Sequence, residues 1–223
     1  MWDLLKHLRP DFSQMLNGTT NGISAWFWLF TALIFFGSLT FLCWHYKSFL
    51  KRIRALSSLL EGQSRETLAD SRREILQRAK KLDANNIGLL WQEFDESLVL
   101  SSDKKQLFNT IDAEHFFNAK NLATGLTSSR LLAATPSFLV AIGVLGTFVG
   151  LTIGLEGLVG NTTEIETLKS GINKLISGAA VAFMTSVWGV TFSLSLNLIE
   201  KLFERSALNR IQDVEAEESH VNS

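Results

Sequence analysis

Three stretches of the chain carry no charged side chain, and most of the polar residues gather between the first two. They lie between Asp11 and Lys47, between Arg130 and Glu156, and between Lys174 and Glu200. At about 1.5 Å of rise per residue, each is long enough as a helix to cross a hydrocarbon layer of about 30 Å. The pattern predicts membrane spans at 23–46, 131–156 and 174–199. Trp26 and Trp28 near one end of the first span, and Trp44 and Tyr46 near the other, match the aromatic belts of the two interfaces. The Phe-rich middle of that span predicts a lipid-facing helix.

Residues 47–130 are polar. Phe49, Ile53, Leu56 and Leu60 recur at four, three and four residues, which predicts an amphipathic helix continuing out of the first span. A charged stretch at 65–83 follows, then apolar clusters at 87–91, 94–98 and 116–117, with breaks predicted at Asn85-Asn86 and Ser101-Ser102-Asp103. This is a cytoplasmic insert of a few helices, whose charged faces are either solvated or a docking surface. In residues 1–22, Trp2, Leu4, Leu5 and Leu8 predict a short amphipathic helix that ends before Pro10, with a turn at 17–22. That helix either lies in the membrane interface or is a frayed end. Residues 157–173 read as a short outer connection and 200–223 as a charged helical tail. The fold class expected is an all-α membrane protein with three transmembrane helices and a helical cytoplasmic insert.

Charge adds orientation. Of the 21 lysines and arginines, 17 fall in 46–130 and the tail, while the N-terminus and second connection hold Lys6, Arg9, Lys169 and Lys174. The excess of basic residues on cytoplasmic loops then places the N-terminus outside and the C-terminus in the cytoplasm. The formal net charge of -1 gives no reason to expect nucleic acid as a partner. Cys43 is the single cysteine, so no intramolecular disulfide can form. The N-terminus lacks the pattern of a cleaved signal peptide, so the first span is expected to remain as an anchor.

The second and third spans have faces of small residues. Gly146, Gly150 and Gly154 recur every fourth residue, with Gly143 and Thr147 on or beside the same face, and Pro136 lies in the first turns. In the third span Gly178, Ala182, Thr185, Gly189 and Ser193 share a face, and Ser177, Ser186, Thr191 and Ser195 add hydroxyls. Glycine faces let two helices approach closely in lipid, so Gly143, Gly146, Gly150, Gly154, Gly178 and Gly189 are predicted packing positions. No span has a carboxylate, lysine, arginine or histidine in its middle; His45 and Glu156 sit at span ends. His7, His115 and His220 make no metal-ligand pattern, and no phosphate-binding loop, HExxH or GxSxG is present. No metal, cofactor or catalytic set is therefore expected, and the protein reads as no enzyme. Thr147 and Thr185 remain. Each hydroxyl either bonds its own backbone four residues back, or the two face one seam and form hydroxyl rings in an oligomer. Such rings could pass protons or a hydrated ion if a second protein supplied a titratable group.

At these residues the chain resembles the MotA/TolQ/ExbB superfamily of ion-driven membrane motors. GVLGTFVGLTIGL (143–155) is similar to the family's "GLLGTV.G" span, and GAAVAFMTSVWGV (178–190) to its "A..ATA.GL" span. Phe183-Met184 and Ser186-Val187-Trp188 replace smaller family residues. The resemblance implies a homopentameric ring around a dimer of a single-span MotB/ExbD/TolR-like (ZorB-like) subunit, whose membrane aspartate takes up and releases the ion. It implies that Thr147 and Thr185 line that ion pathway. Three spans set the chain apart from the four-span flagellar type, and ATPSFLVAIGVLGTFVGLTIGL (134–155) resembles most the ZorA branch of Zorya anti-phage defence. That branch carries a long cytoplasmic helical tail, which implies a tail longer than 200–223. The alternatives are a TolQ/ExbB-type energiser of envelope processes and a non-conducting membrane scaffold.

Overall fold

A computed structural model describes residues 20–60, 65–81, 86–100, 107–126, 129–156 and 165–222. The described elements are α1 (Thr20–Leu60), α2 (Arg65–Lys81), α3 (Ile87–Ser97), β1 (Leu98–Leu100), β2 (Leu107–Asn109), α4 (Ala113–Phe116), α5 (Ala119–Leu122), α6 (Arg130–Glu156) and α7 (Ile165–Asn222). Among the described residues three helices are long and apolar enough to cross a membrane, and each contains one of the predicted spans. The amphipathic helix expected near the N-terminus lies outside the described residues.

The chain divides into two units. The first takes residues 1–40 and 130–199, the second 41–129 and 200–223, and α1 and α7 contribute to both. In the first unit, Ala32 and Phe35 of α1 meet Leu139 of α6 and Phe192 and Leu196 of α7 in one buried cluster. Phe35 stacks on Phe192 at 4.9 Å between ring centres, and Trp28 meets Trp188 edge-on at 5.9 Å. The other side of α1 stays bare, with Trp26, Phe30, Leu33 and Phe36 all more than half exposed. An apolar face left open along a charge-free helix suits hydrocarbon, as the Phe-rich sequence predicts.

In the second unit the aromatic residues of the polar insert form the core. Trp91 and Phe94 of α3 pack with Phe117, at ring-centre distances of 6.0 and 5.3 Å, and Phe116 closes on Phe94. Phe49, Ile53 and Leu56 are buried, as the amphipathic spacing of α1 predicts. Arg52 donates from Nη1 to the carbonyls of Asn121 and Leu122, joining α1 to the end of α5. Tyr46 stacks on Phe203 and shares a 2.9 Å hydrogen bond with Ser206, which joins α1 to α7 within this unit. Gly125 has φ of 92°, and an added Cβ there would collide with the His45 ring, so this turn requires glycine.

Arg72 of α2 holds the C-terminal turn of α3. Its Nε donates to Asp95 Oδ1 at 2.8 Å and its Nη2 to the Asp95 carbonyl at 2.6 Å. The Asp95 side chain is 11% exposed, so Arg72→Ala would leave a buried carboxylate unpaired. A loss of about 2 kcal/mol is expected by thermal unfolding, less than for a fully dry pair because Arg72 is partly solvated. Arg72→Ala/Asp95→Ala should recover part of it, since no charge is then stranded.

Three details differ from the sequence reading. Strands β1 and β2 pair antiparallel, Leu98 with Asn109, Val99 with Phe108 and Leu100 with Leu107. Three-residue strands are too short to show a period, so the insert is not purely helical. The turn expected at 17–22 is helical from Thr20 on, because small polar residues fit a first helical turn whose amides are unpaired anyway. The outer connection expected at 157–173 narrows, since α7 begins at Ile165, with Glu166 in its first turn complementing the helix dipole. Pro136 lies in the second turn of α6 without ending it. Of the expected breaks, Asn86 has φ of 71° ahead of α3, whereas 101–103 lies outside the described residues.

Candidate functional site

Helices α6 and α7 pack antiparallel on the two predicted small-residue faces. Gly143, Gly146, Gly150 and Gly154 are all buried on one side of α6. Opposite them along α7 stand Gly189, Thr185, Ala182 and Gly178, taken in the reverse sequence direction. A Cβ added at Gly150 would lie 2.7 Å from the Gly178 carbonyl oxygen and 2.8 Å from the Ala182 nitrogen. One at Gly189 would lie 2.8 Å from both the Leu139 carbonyl oxygen and the Gly143 Cα. Backbone therefore meets backbone along the seam. In lipid, where burial of apolar groups drives no association, this contact supplies dispersion and weak Cα–H···O attraction instead. The six glycines predicted for packing are all in this seam.

The two predicted threonines occupy one layer of it. Thr185 is 4% exposed, and its side chain covers Gly146, whose added Cβ would stand 2.6 Å from Oγ1 and 2.7 Å from the threonine Cβ. Thr147 follows Gly146 in the chain and is half-buried at the flank of the same helix pair. Both hydroxyls donate within their own helix, Thr147 to the Val144 carbonyl at 2.6 Å and Thr185 to the Ala182 carbonyl at 2.9 Å. The acceptor is three residues back rather than the four expected from sequence. A hydroxyl that has given its proton to the backbone keeps lone pairs for an incoming donor. The seam thus holds one hydroxyl in its interior and a second at its edge. No charged residue lies in the middle of either predicted span.

The bulky residues of the third span sort by face. Trp188 turns toward α1, meeting Trp28 and lying 5.3 Å from Phe192, which explains a large side chain there. Phe183 is 73% exposed, and Val187 and Val190 are also exposed. Ser193 is buried, as its place on the small face predicts, while Thr191 is exposed. Sequence reasoning missed Leu139, which is fully buried and whose carbonyl meets Gly189; the only signal was its place one turn before Gly143. It also missed Glu200, which is buried in the second unit directly after the third predicted span. Among the described residues no group of His, Cys, Asp or Glu could hold a metal ion.

Comparison with known proteins identifies the family. Residues 19–217 match the family described as anti-phage protein ZorA, Zorya type I system. Over 118 residues the chain is 30% identical to Zorya protein ZorA of Escherichia coli O139:H28, a match covering 50% of this chain and 16% of that protein. Over 83 residues it is 37% identical to Zorya protein ZorA of Escherichia coli strain Crooks, covering 36% of this chain and 14% of the relative. The chain thus spans a small fraction of the length of the curated relatives it matches. With a family match across most of its length, including both glycine faces, the chain belongs to the ZorA family of Zorya anti-phage systems.

Proposed function

We propose that this chain is the ion-conducting subunit of a proton-driven inner-membrane motor in anti-phage defence. Five copies surround a dimer of a single-span, MotB/ExbD/TolR-like partner. The N-terminus is periplasmic and the C-terminus cytoplasmic. Proton flow turns the ring relative to the partner, and the helices that leave the membrane, with any longer tail, carry the motion onward. The observation that carries this reading is the hydroxyl layer of Thr147 and Thr185 in a glycine seam within charge-free spans.

The chemistry rests on a hydroxyl that can both accept and donate. A partner carboxyl group in its protonated form needs an acceptor, and the free lone pairs of Thr147 Oγ1 supply one at the open edge of the seam. When that carboxyl group loses its proton it needs donors, and a threonine hydroxyl can rotate from its own backbone to provide one. Both states are served without a fixed charge on this chain. Thr185 faces Gly146 in the same layer and serves the pathway as its second hydroxyl.

Proton uptake into vesicles holding this chain and its single-span partner, followed with a pH-sensitive dye, tests the proposal. Flux is expected with both proteins and is lost when the partner's membrane carboxylate is changed to its amide. Flux from this chain alone, or flux indifferent to that change, contradicts it. A second reading, the non-conducting scaffold, is favoured by one observation: both hydroxyls already bond their own helices. It differs in requiring the glycines but neither hydroxyl.

A further inference from the structure

A row of residues in the second unit extends beyond the family reading. Phe41, Trp44, Lys47, Lys51 and Arg54 are all exposed and follow one another along α1 at three, three, four and three residues. That spacing places them on one stripe of the helix, opposite the buried Phe49, Ile53 and Leu56. The fourth basic residue here, Arg52, turns inward to the end of α5 and takes no part. No acidic residue occurs between Asp11 and Glu61, and Lys47, Lys51 and Arg54 form no ion pair among the described residues.

The stripe changes chemistry at the end of the first predicted span. Phe41 and Trp44 are 42% and 66% exposed and belong to the charge-free run. From Lys47 on, the stripe is cationic. Arg54 lies about 15 Å along the helix from Trp44, beyond a headgroup layer of about 5–7 Å per side. Helical side chains lean toward the N-terminus, which here is toward the span, so Lys51 and Arg54 reach back to the layer that Lys47 already occupies.

We propose that this stripe is a binding site for an anionic glycerophospholipid, with the phosphate held by Lys47, Lys51 and Arg54 and an acyl chain laid over Trp44 and Phe41. One lipid molecule supplies both chemistries in the right order, apolar below and anionic above. An acidic protein surface would satisfy the cations and leave the two rings uncovered.

The full chain, co-purified with its partner in mild detergent, is titrated with brominated phosphatidylglycerol or brominated phosphatidylcholine. Acyl bromines quench a nearby indole, and Trp44→Phe identifies the part of the signal that Trp44 contributes. The anionic lipid should bind at least tenfold more tightly than the neutral one, and the preference should fall as salt rises. Each basic residue near an anionic surface contributes about fivefold. Lys47→Gln/Lys51→Gln/Arg54→Gln should therefore remove the preference, with single variants losing part of it. The charge-keeping Lys47→Arg/Lys51→Arg/Arg54→Lys should retain it, as should Lys80→Gln/Lys81→Gln on α2. Circular dichroism shows whether each variant is folded, and the single variants decide if the triple one is not. Equal binding of both lipids by the parent chain, or a preference that survives loss of all three charges, overturns the site.

Discussion

Gly178→Ala is expected to dismantle the α6–α7 pair, although it adds a single methyl group. The new carbon would fall on the Gly150 carbonyl oxygen and lie 2.7 Å from the Gly154 Cα and 2.8 Å from its nitrogen. These are backbone atoms of a facing helix and cannot rotate away, so the helices must separate along the seam. Overpacking in a well-filled interior costs about 1–3 kcal/mol, and contact with backbone places this change at the upper end. A fall of about 6–12 °C in unfolding temperature is expected for a chain of this size, with loss of the assembled complex. Gly37→Ala is the matched control, since nothing lies within 4 Å of the added carbon on the open face of α1. It should be neutral or slightly stabilising, because alanine favours a helix over glycine by up to about 1 kcal/mol. If Gly178→Ala were as harmless as Gly37→Ala, the close seam would be wrong.

Thr147→Ala/Thr185→Ala should have the reverse effect, sparing assembly and removing function. Each hydroxyl donates to a carbonyl within its own helix, so its loss strands no buried donor. The void left beside Gly146 is about one methyl group and one hydroxyl, at a cost of about 1 kcal/mol. Function is affected far more. A hydrogen bond to an ion or charged group contributes about 1.5–3 kcal/mol, so losing both hydroxyls should slow proton flux by at least a hundredfold. Thr147→Val/Thr185→Val keeps the branched shape and should be equally inactive, whereas Thr147→Ser/Thr185→Ser keeps the hydroxyls and should retain most flux. Active Val variants would reassign both threonines to packing and favour the scaffold. The comparison separates shape from chemistry at the two positions on which the functional reading depends.

The spans and the seam were legible because a bilayer leaves few options. A charge-free run long enough to cross it must be a helix, and a face of Gly146, Gly150 and Gly154 has little use except close approach. The reciprocal face, Gly178 to Gly189, followed from spacing alone. Periodicity could not show which side of Thr147 or Thr185 each hydroxyl takes, because that depends on a torsion about one bond. The β1–β2 pair was hidden because three-residue strands carry no pattern. Trp188 looked out of place in a small-residue span until α1 supplied Trp28 as its neighbour. The buried Glu200 was equally silent, since a carboxylate after a span reads as a solvated end residue.

The most direct test of the motor account is the mass and symmetry of the complex. The chain and its single-span, carboxylate-bearing partner would be co-expressed, extracted in mild detergent, and analysed by native mass spectrometry with single-particle imaging. The account predicts five copies of this chain around two partners, so that each carboxylate meets successive Thr147–Thr185 layers as the ring turns. A monomer or simple dimer holding no carboxylate-bearing partner would leave the spans without a titratable group and contradict it.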